Sequence, residues 1–239
     1  RGYHLAQGNN ERPVARLAVL PVAAKASVEQ GLEAALESAL AHWLYHDEIW
    51  LRGKATAKAA ILLAIARLRH ALVRCGGIVP RKATTHRRAL LNDAAAVLLA
   101  ADTADEALFR TEVVGAKLAL TEWLVQRGWR PFLNEAGEKK IAGSFKRFAD
   151  INLSRVAAEL RSAVQHLAVE DAADQLPKLS RDIDSVQLLA GAYGDAVAPW
   201  LENWQELQRA IEHDDRSVFE YFRRQALAAE PFWLHSGKR

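Results

Sequence analysis

Half of the 239 residues are hydrophobic, and 32 Lys and Arg against 29 Asp and Glu leave a formal charge of only +3. With one cysteine, Cys75, the chain has neither a disulfide framework nor a cysteine-based zinc site. It holds no apolar run of about 18 residues and no signal-peptide core, so a cytoplasmic protein without a membrane span is expected.

Residues 1–26 carry Gly2, Gly8, Asn9, Asn10, Pro13 and Pro21 and read as an extended linker from something upstream. Within it, Leu17 to Leu20 is apolar enough to pack on the body or add a short strand. Helical signals follow. Ser27 and Gln30 form a capping box, with Leu32, Leu36, Leu40, Trp43 and Trp50 at helical spacing up to Gly53. A second helix is expected from Thr56 to Arg74, ended by Gly76 and Gly77, and a third from Thr84 or Thr85 to Ala101. A fourth, over 105–127, should bury Leu118, Leu120 and Trp123.

Ser144 opens a fifth helix reaching Leu167, and Pro177 fits the first turn of a sixth ending at Tyr193. The seventh runs from Ala196 to Glu212 with Pro199 in its first turn, and Asp214 or Asp215 caps an eighth to Ala229. Eight long helices with short turns predict an all-α fold of two four-helix bundles, over 27–128 and 143–229, after the extended segment.

The charge is unevenly distributed. Residues 1–120 hold 16 basic and 11 acidic side chains; residues 121–239 hold 16 and 18. Between Glu48 and Asp93 no acid occurs, where about five are expected from the average, yet ten Lys and Arg do. Arg67, His70 and Arg74 fall at i, i+3 and i+7 and should share a face. Arg69 adds to this helix, Arg81 and Lys82 to the following loop, and His86, Arg87 and Arg88 to the next helix start. Arginine forks and a helix N-terminus both suit phosphate oxygens. A second basic group comprises Lys139, Lys140, Lys146, Arg147 and Arg155, and Lys178 with Arg181 a third, beside Asp182 and Asp184, which could equally form structural pairs. A mixed-sign solvated face is the bland alternative, and the missing acids weigh against it.

Other sites are weaker. His42 and His46 are one turn apart, but no repeated Glu-x-x-His motif accompanies them, so packing histidines and no metal are expected. The tryptophans read mostly as core, and Cys75 as a small buried apolar residue. No phosphate loop, nucleophile elbow or metalloprotease motif is present, and no catalytic residue is assigned.

The Arg67-Leu-Arg-His-Ala-Leu72 helix, Ala142–Ala149 and Arg181–Val186 resemble the CHAD domain, an all-α domain of two four-helix bundles. Arg1–Gly8, Gly76–Lys82, Leu118–Leu124 and Glu230–Arg239 extend this to the C-terminal part of bacterial CYTH–CHAD inorganic triphosphatases. The resemblance implies binding of inorganic polyphosphate or other phosphate anions, with no cofactor in this domain. It also implies an upstream CYTH domain in cis that hydrolyses triphosphate with a divalent metal through an E-x-E-x-K motif, which this chain lacks. Ala59 and Leu62 stand where the family has a His and an Arg, and the second histidine-rich repeat is reduced to Pro177–Arg181. The alternative is a protein-interaction or dimerisation module that positions the CYTH domain; nucleic-acid binding lacks a recognised reading motif.

Overall fold

The computed structural model describes residues 12–17, 19–20, 22–23 and 25–234. Of the expected linker, residues 1–11, 18, 21 and 24 lie outside the described residues, as do residues 235–239 of the C-terminal segment. The described chain is all-α: α1 (Val28–Leu51), α2 (Ala57–Arg74), α3 (Arg81–Ala100), α4 (Ala104–Leu108), α5 (Thr111–Val125), α6 (Glu135–Ile141), α7 (Phe145–Val164), α8 (Ala172–Leu189), α9 (Ala198–Glu212) and α10 (Arg216–Ala228). Among the described residues β-structure is limited to an isolated bridge between Ser27 and Ser144. Several starts follow the capping chemistry: Ser27 and Gln30 exchange side-chain-to-backbone bonds of 2.9 and 3.2 Å, and Ser144 and Asp215 cap α7 and α10.

Three expectations about the helices after residue 100 need correction. The helix expected over 105–127 is two, because Thr103 and Glu106 make a capping box that starts α4, and α5 begins afresh at Thr111. The inner face of α5 is Val113, Ala116, Leu120 and Trp123, which puts Leu118 on the opposite side, 67% exposed. Finally, α8 starts at Ala172, so Pro177 lies inside it instead of in its first turn. Ala172, Leu176, Leu179, Ile183 and Val186 continue one apolar face across the proline, which points to solvent. The missing bond leaves the carbonyl of exposed Ala173 to water, which lowers the usual cost of an interior proline.

The chain forms two compact units whose segments alternate: residues 12–17, 36–72 and 79–132 in one, and the described residues of 19–35, 73–78 and 133–234 in the other. In the first, α3 packs on α5. Lys58 reaches the carbonyls of Leu99 and Ala101 (3.2 and 2.6 Å), so the start of α2 meets the end of α3 and the two run antiparallel. Segment 12–17 is tied to the C-terminal half of α1. Arg12 pairs with Glu48 at 2.8 Å, Tyr45 donates to the Pro13 carbonyl, and the Ala15 N–H donates to His46 Nε2 at 3.0 Å. Lys117 and Asp47, both largely buried, pair at 2.7 Å.

In the second unit α7, α8, α9 and α10 enclose a core of Phe145, Leu153, Leu160, Ile183, Val186, Trp200, Trp204 and Phe219. Val19 and Val22 pack against it, and buried Leu20 between them donates its N–H to the Gln187 carbonyl at 3.2 Å. The approach requires Gly191, where a Cβ would sit 1.5 Å from the Leu20 carbonyl oxygen. All seven tryptophans are buried, as is Cys75, whose thiol burial pushes up to about 12.

Candidate anion-binding surfaces

The ten basic residues of the acid-free stretch have different fates. Arg52 pairs with Glu48 at 2.6 Å, Lys54 donates to the Arg12 carbonyl, and Lys58 is bound to the end of α3. Arg67, expected on the basic face, is 2% exposed and therefore part of the interior, so Arg67, His70 and Arg74 do not make one open stripe. The wide apolar arc of Ala64, Ile65, Leu68, Ala71 and Leu72 turns most of α2 inward and takes Arg67 with it.

Arg69, Arg81, Lys82, Arg87, Arg88 and His86 remain. None has a side-chain hydrogen bond or ion pair among the described residues. Arg69, Arg81, Lys82 and His86 are exposed; Arg87 and Arg88 are half-buried, with Nε atoms shielded and unpartnered. Because α2 and α3 are antiparallel, the C-terminal half of α2 and the N-terminal half of α3 lie at one end, so Arg69 shares that end with the others.

The start of α3 differs from expectation in a way that matters here. Pro80 has extended backbone angles (φ −58°, ψ 141°) and the helix begins directly after it, at Arg81. Thr84 and Thr85 donate back to the Arg81 carbonyl and cap nothing. Arg81 and Lys82 thus occupy the first turn, and His86, Arg87 and Arg88 the second. Pro80 supplies no side-chain cap, leaving the end amides and the positive dipole end beside two cations. That arrangement is locally unfavourable unless an anion joins it. Two aromatic rings hold cations nearby: Lys82 Nζ lies 5.7 Å from the Phe132 ring centre and Arg87 Cζ 5.8 Å from that of Trp123. Sequence spacing gave no sign of these pairings.

In the second unit, Arg147 and Arg155 are exposed and Lys178 half-buried, without side-chain partners among the described residues. Lys140 is likewise exposed and unpaired, whereas Lys139 pairs with Glu135. Lys146 sits 4.8 Å from the Tyr193 ring and 3.9 Å from Asp150, which accepts a hydrogen bond from the Tyr193 hydroxyl; burial first, then that bond, raises the phenol's pKa. Arg74 and Arg181 are engaged by Asp182, through Oδ1 at 3.5 and 3.3 Å, and Arg74 also meets Ser185 Oγ at 3.2 Å and Glu159 at 3.5 Å. Asp182 is wholly buried, and burial pushes its carboxyl pKa up.

His46 donates from Nδ1 to the His42 carbonyl at 2.7 Å and accepts the Ala15 N–H at Nε2, so both ring nitrogens are occupied by backbone. His42, against it at 4.1 Å between ring centres, is lowered to about 4 by burial, His46 and Arg67. Among the described residues no group of three or more His, Cys, Asp or Glu could hold a metal ion, and no helix is long and apolar enough to cross a membrane.

Taken together, the helices and the unpaired cations define an all-α domain that presents basic surface on ordered structure. A family model for the CHAD domain matches residues 34–224, most of the chain, and the protein belongs to that family. Its fold is similar to that of the crystal structure of the CHAD domain from the plant Ricinus communis, with a TM-score of 0.63 over 94% of this chain and 89% of that chain, at 16% identity.

Proposed function

We propose that this chain is a non-catalytic accessory module that binds inorganic polyphosphate or related phosphate anions, and that it serves an inorganic triphosphatase whose CYTH domain lies in cis. The observation that supports this best is the set of six basic side chains around the start of α3 with no carboxylate partner among the described residues. Charged side chains on a protein surface ordinarily mix signs; here five arginines and lysines and one histidine are left uncompensated while neighbouring cations are consumed by structure. Binding would be multivalent Coulomb attraction with arginine and lysine hydrogen bonds to phosphoryl oxygens, and no covalent step. Arg147, Arg155 and Lys178 offer a further set in the second unit. Titration with labelled long-chain polyphosphate at about 50 mM salt, where Coulomb binding is little screened, should give saturable binding; its absence refutes the reading.

One observation favours a second role. Helix α5 is apolar on its outer side too, with Leu118 and Val125 67% and 78% exposed, which suits a protein partner or a second copy. Sedimentation shows which role dominates: a tight dimer indifferent to polyphosphate favours the interaction module.

A further inference from the structure

Asp182 is a poor structural ion-pair partner by its geometry. Its carboxylate is fully buried, yet both arginine contacts fall on one oxygen, Oδ1, at 3.3 and 3.5 Å. These are longer than the usual 2.7–3.2 Å of N–H···O bonds. The second oxygen, Oδ2, is buried with no hydrogen-bond partner among the described residues. A buried carboxylate kept for stability is normally served at both oxygens, because an unmade bond there costs the full desolvation of the atom. Asp182 instead subtracts charge from a basic surface. Arg181 is half exposed and Lys178, one turn earlier on α8, has no partner among the described residues.

We infer that Asp182 is an internal counter-anion that occupies Arg74 and Arg181 in place of a phosphoryl group, so that phosphate binding in the second unit is restrained while Asp182 is charged. The inference rests on the phosphate-binding reading above and adds its regulation. Three charged groups act on the carboxylate: Arg74 from α2, Glu159 from α7 and Arg181 from its own helix. Ser185 Oγ, which donates to the Arg181 carbonyl at 2.9 Å, also accepts from Arg74 Nε and keeps that guanidinium beside Asp182. Glu159 is the second, more exposed member of the same latch. When Asp182 is neutral its attraction for the two arginines falls, and an arriving phosphate dianion can engage Arg181 and draw on Arg74. Burial favours that neutral form, against the opposing pull of Arg181 and Arg74.

The test is polyphosphate affinity of the full chain for the wild type, Asp182→Asn and Glu159→Gln. Removing one close carboxylate charge in a partly screened setting should tighten binding about tenfold for Asp182→Asn near pH 8, with a smaller gain, about threefold, for Glu159→Gln. The ratio of Asp182→Asn to wild type should shrink toward one as pH falls into the acid range, because burial raises the wild-type carboxyl's pKa and it takes up its proton sooner than an ordinary aspartate. A residue that merely held the fold would not produce that converging pH profile. Thermal melting reports whether Asp182→Asn is folded; if it is not, Glu159→Gln decides, since Glu159 lies at the surface. Unchanged or weaker binding by the folded variant overturns the inference and leaves the phosphate-binding role standing, provided the wild type binds and Arg81→Gln/Lys82→Gln weakens it. A wild type that does not bind at all removes the role itself and the inference with it.

Discussion

Salt dependence is the most direct measure of the unpaired cations at the start of α3. Arg69, Arg81, Lys82, Arg87 and Arg88 are cationic side chains with no acidic partner among the described residues. For single-stranded polyanions, log affinity falls with log salt by about 0.7 per phosphate neutralised. Five contacts predict a slope of about −3.5, hence roughly a 100-fold loss of affinity from about 50 to about 200 mM salt. Arg81→Gln with Lys82→Gln removes two charges from the first turn of α3, so the slope should fall to about −2.1 and the loss over the same range to about 20-fold. Competition against fluorescent polyphosphate across the salt series reads both numbers. Arg224→Gln is the control, because Arg224 pairs with Glu220 at 2.9 Å at an exposed site on α10 and should leave the slope unchanged. An unaltered slope in the double variant, or an equal drop in the Arg224 variant, refutes the assignment of binding to this surface.

Two further outcomes follow from the packing and the histidine pair. Gly191→Ala would place its Cβ against the Leu20 carbonyl oxygen, which is backbone and cannot yield cheaply, so a destabilisation of about 2 kcal/mol is expected. Hydrogen exchange should show the Leu20 amide losing protection, and unchanged exchange there would count against the docked segment. Because His42 is held near 4 in the fold against about 6.5 in the unfolded chain, the unfolded state binds more protons between these values. Stability should therefore fall as pH drops through that window, and His42→Gln should flatten the dependence in urea-midpoint measurements; an equally steep profile in the variant would show that another group is responsible.

Much of the helical plan was legible because its signals are local. Ser27 with Gln30, Ser144 and Asp215 act through bonds within three residues, which need no partner from elsewhere in the chain. Where the sequence misled, two local rules competed. Thr84 and Thr85 look like caps, but Pro80 ends the preceding turn first and hands the start to Arg81. Pro177 looks like a helix start, but the apolar face from Ala172 to Val186 continues through it. Leu118 shows the limit of counting hydrophobic residues without fixing the face: Val113, Ala116, Leu120 and Trp123 already define the buried side.

The basic character of the candidate site could be read from composition, its membership less well. Exposure and pairing depend on residues far apart in the chain: Arg74 is held by Asp182, 108 residues away, and Lys58 by Ala101. Arg67 is drawn inward by its apolar neighbours, and nothing in its own spacing announces it. Trp123 and Phe132, the rings beside Arg87 and Lys82, come from later parts of the first unit and have no sequence mark of that use.

The alternation of the two units along the chain has a consequence for biogenesis. The second unit takes residues 19–35 and 73–78 from the early chain, but its core helices begin only after residue 133. Ala26 therefore emerges from the ribosome long before Phe145, Leu153 and Trp200, with which it shares a core, exist to cover it. At about 5–20 residues per second, the interval from residue 35 to residue 133 is roughly five to twenty seconds. The early segments must stay soluble, or be chaperoned, through that wait. For the same reason no single cleavage yields either unit intact, and dissecting their separate affinities will require circular permutation or internal splicing instead of truncation.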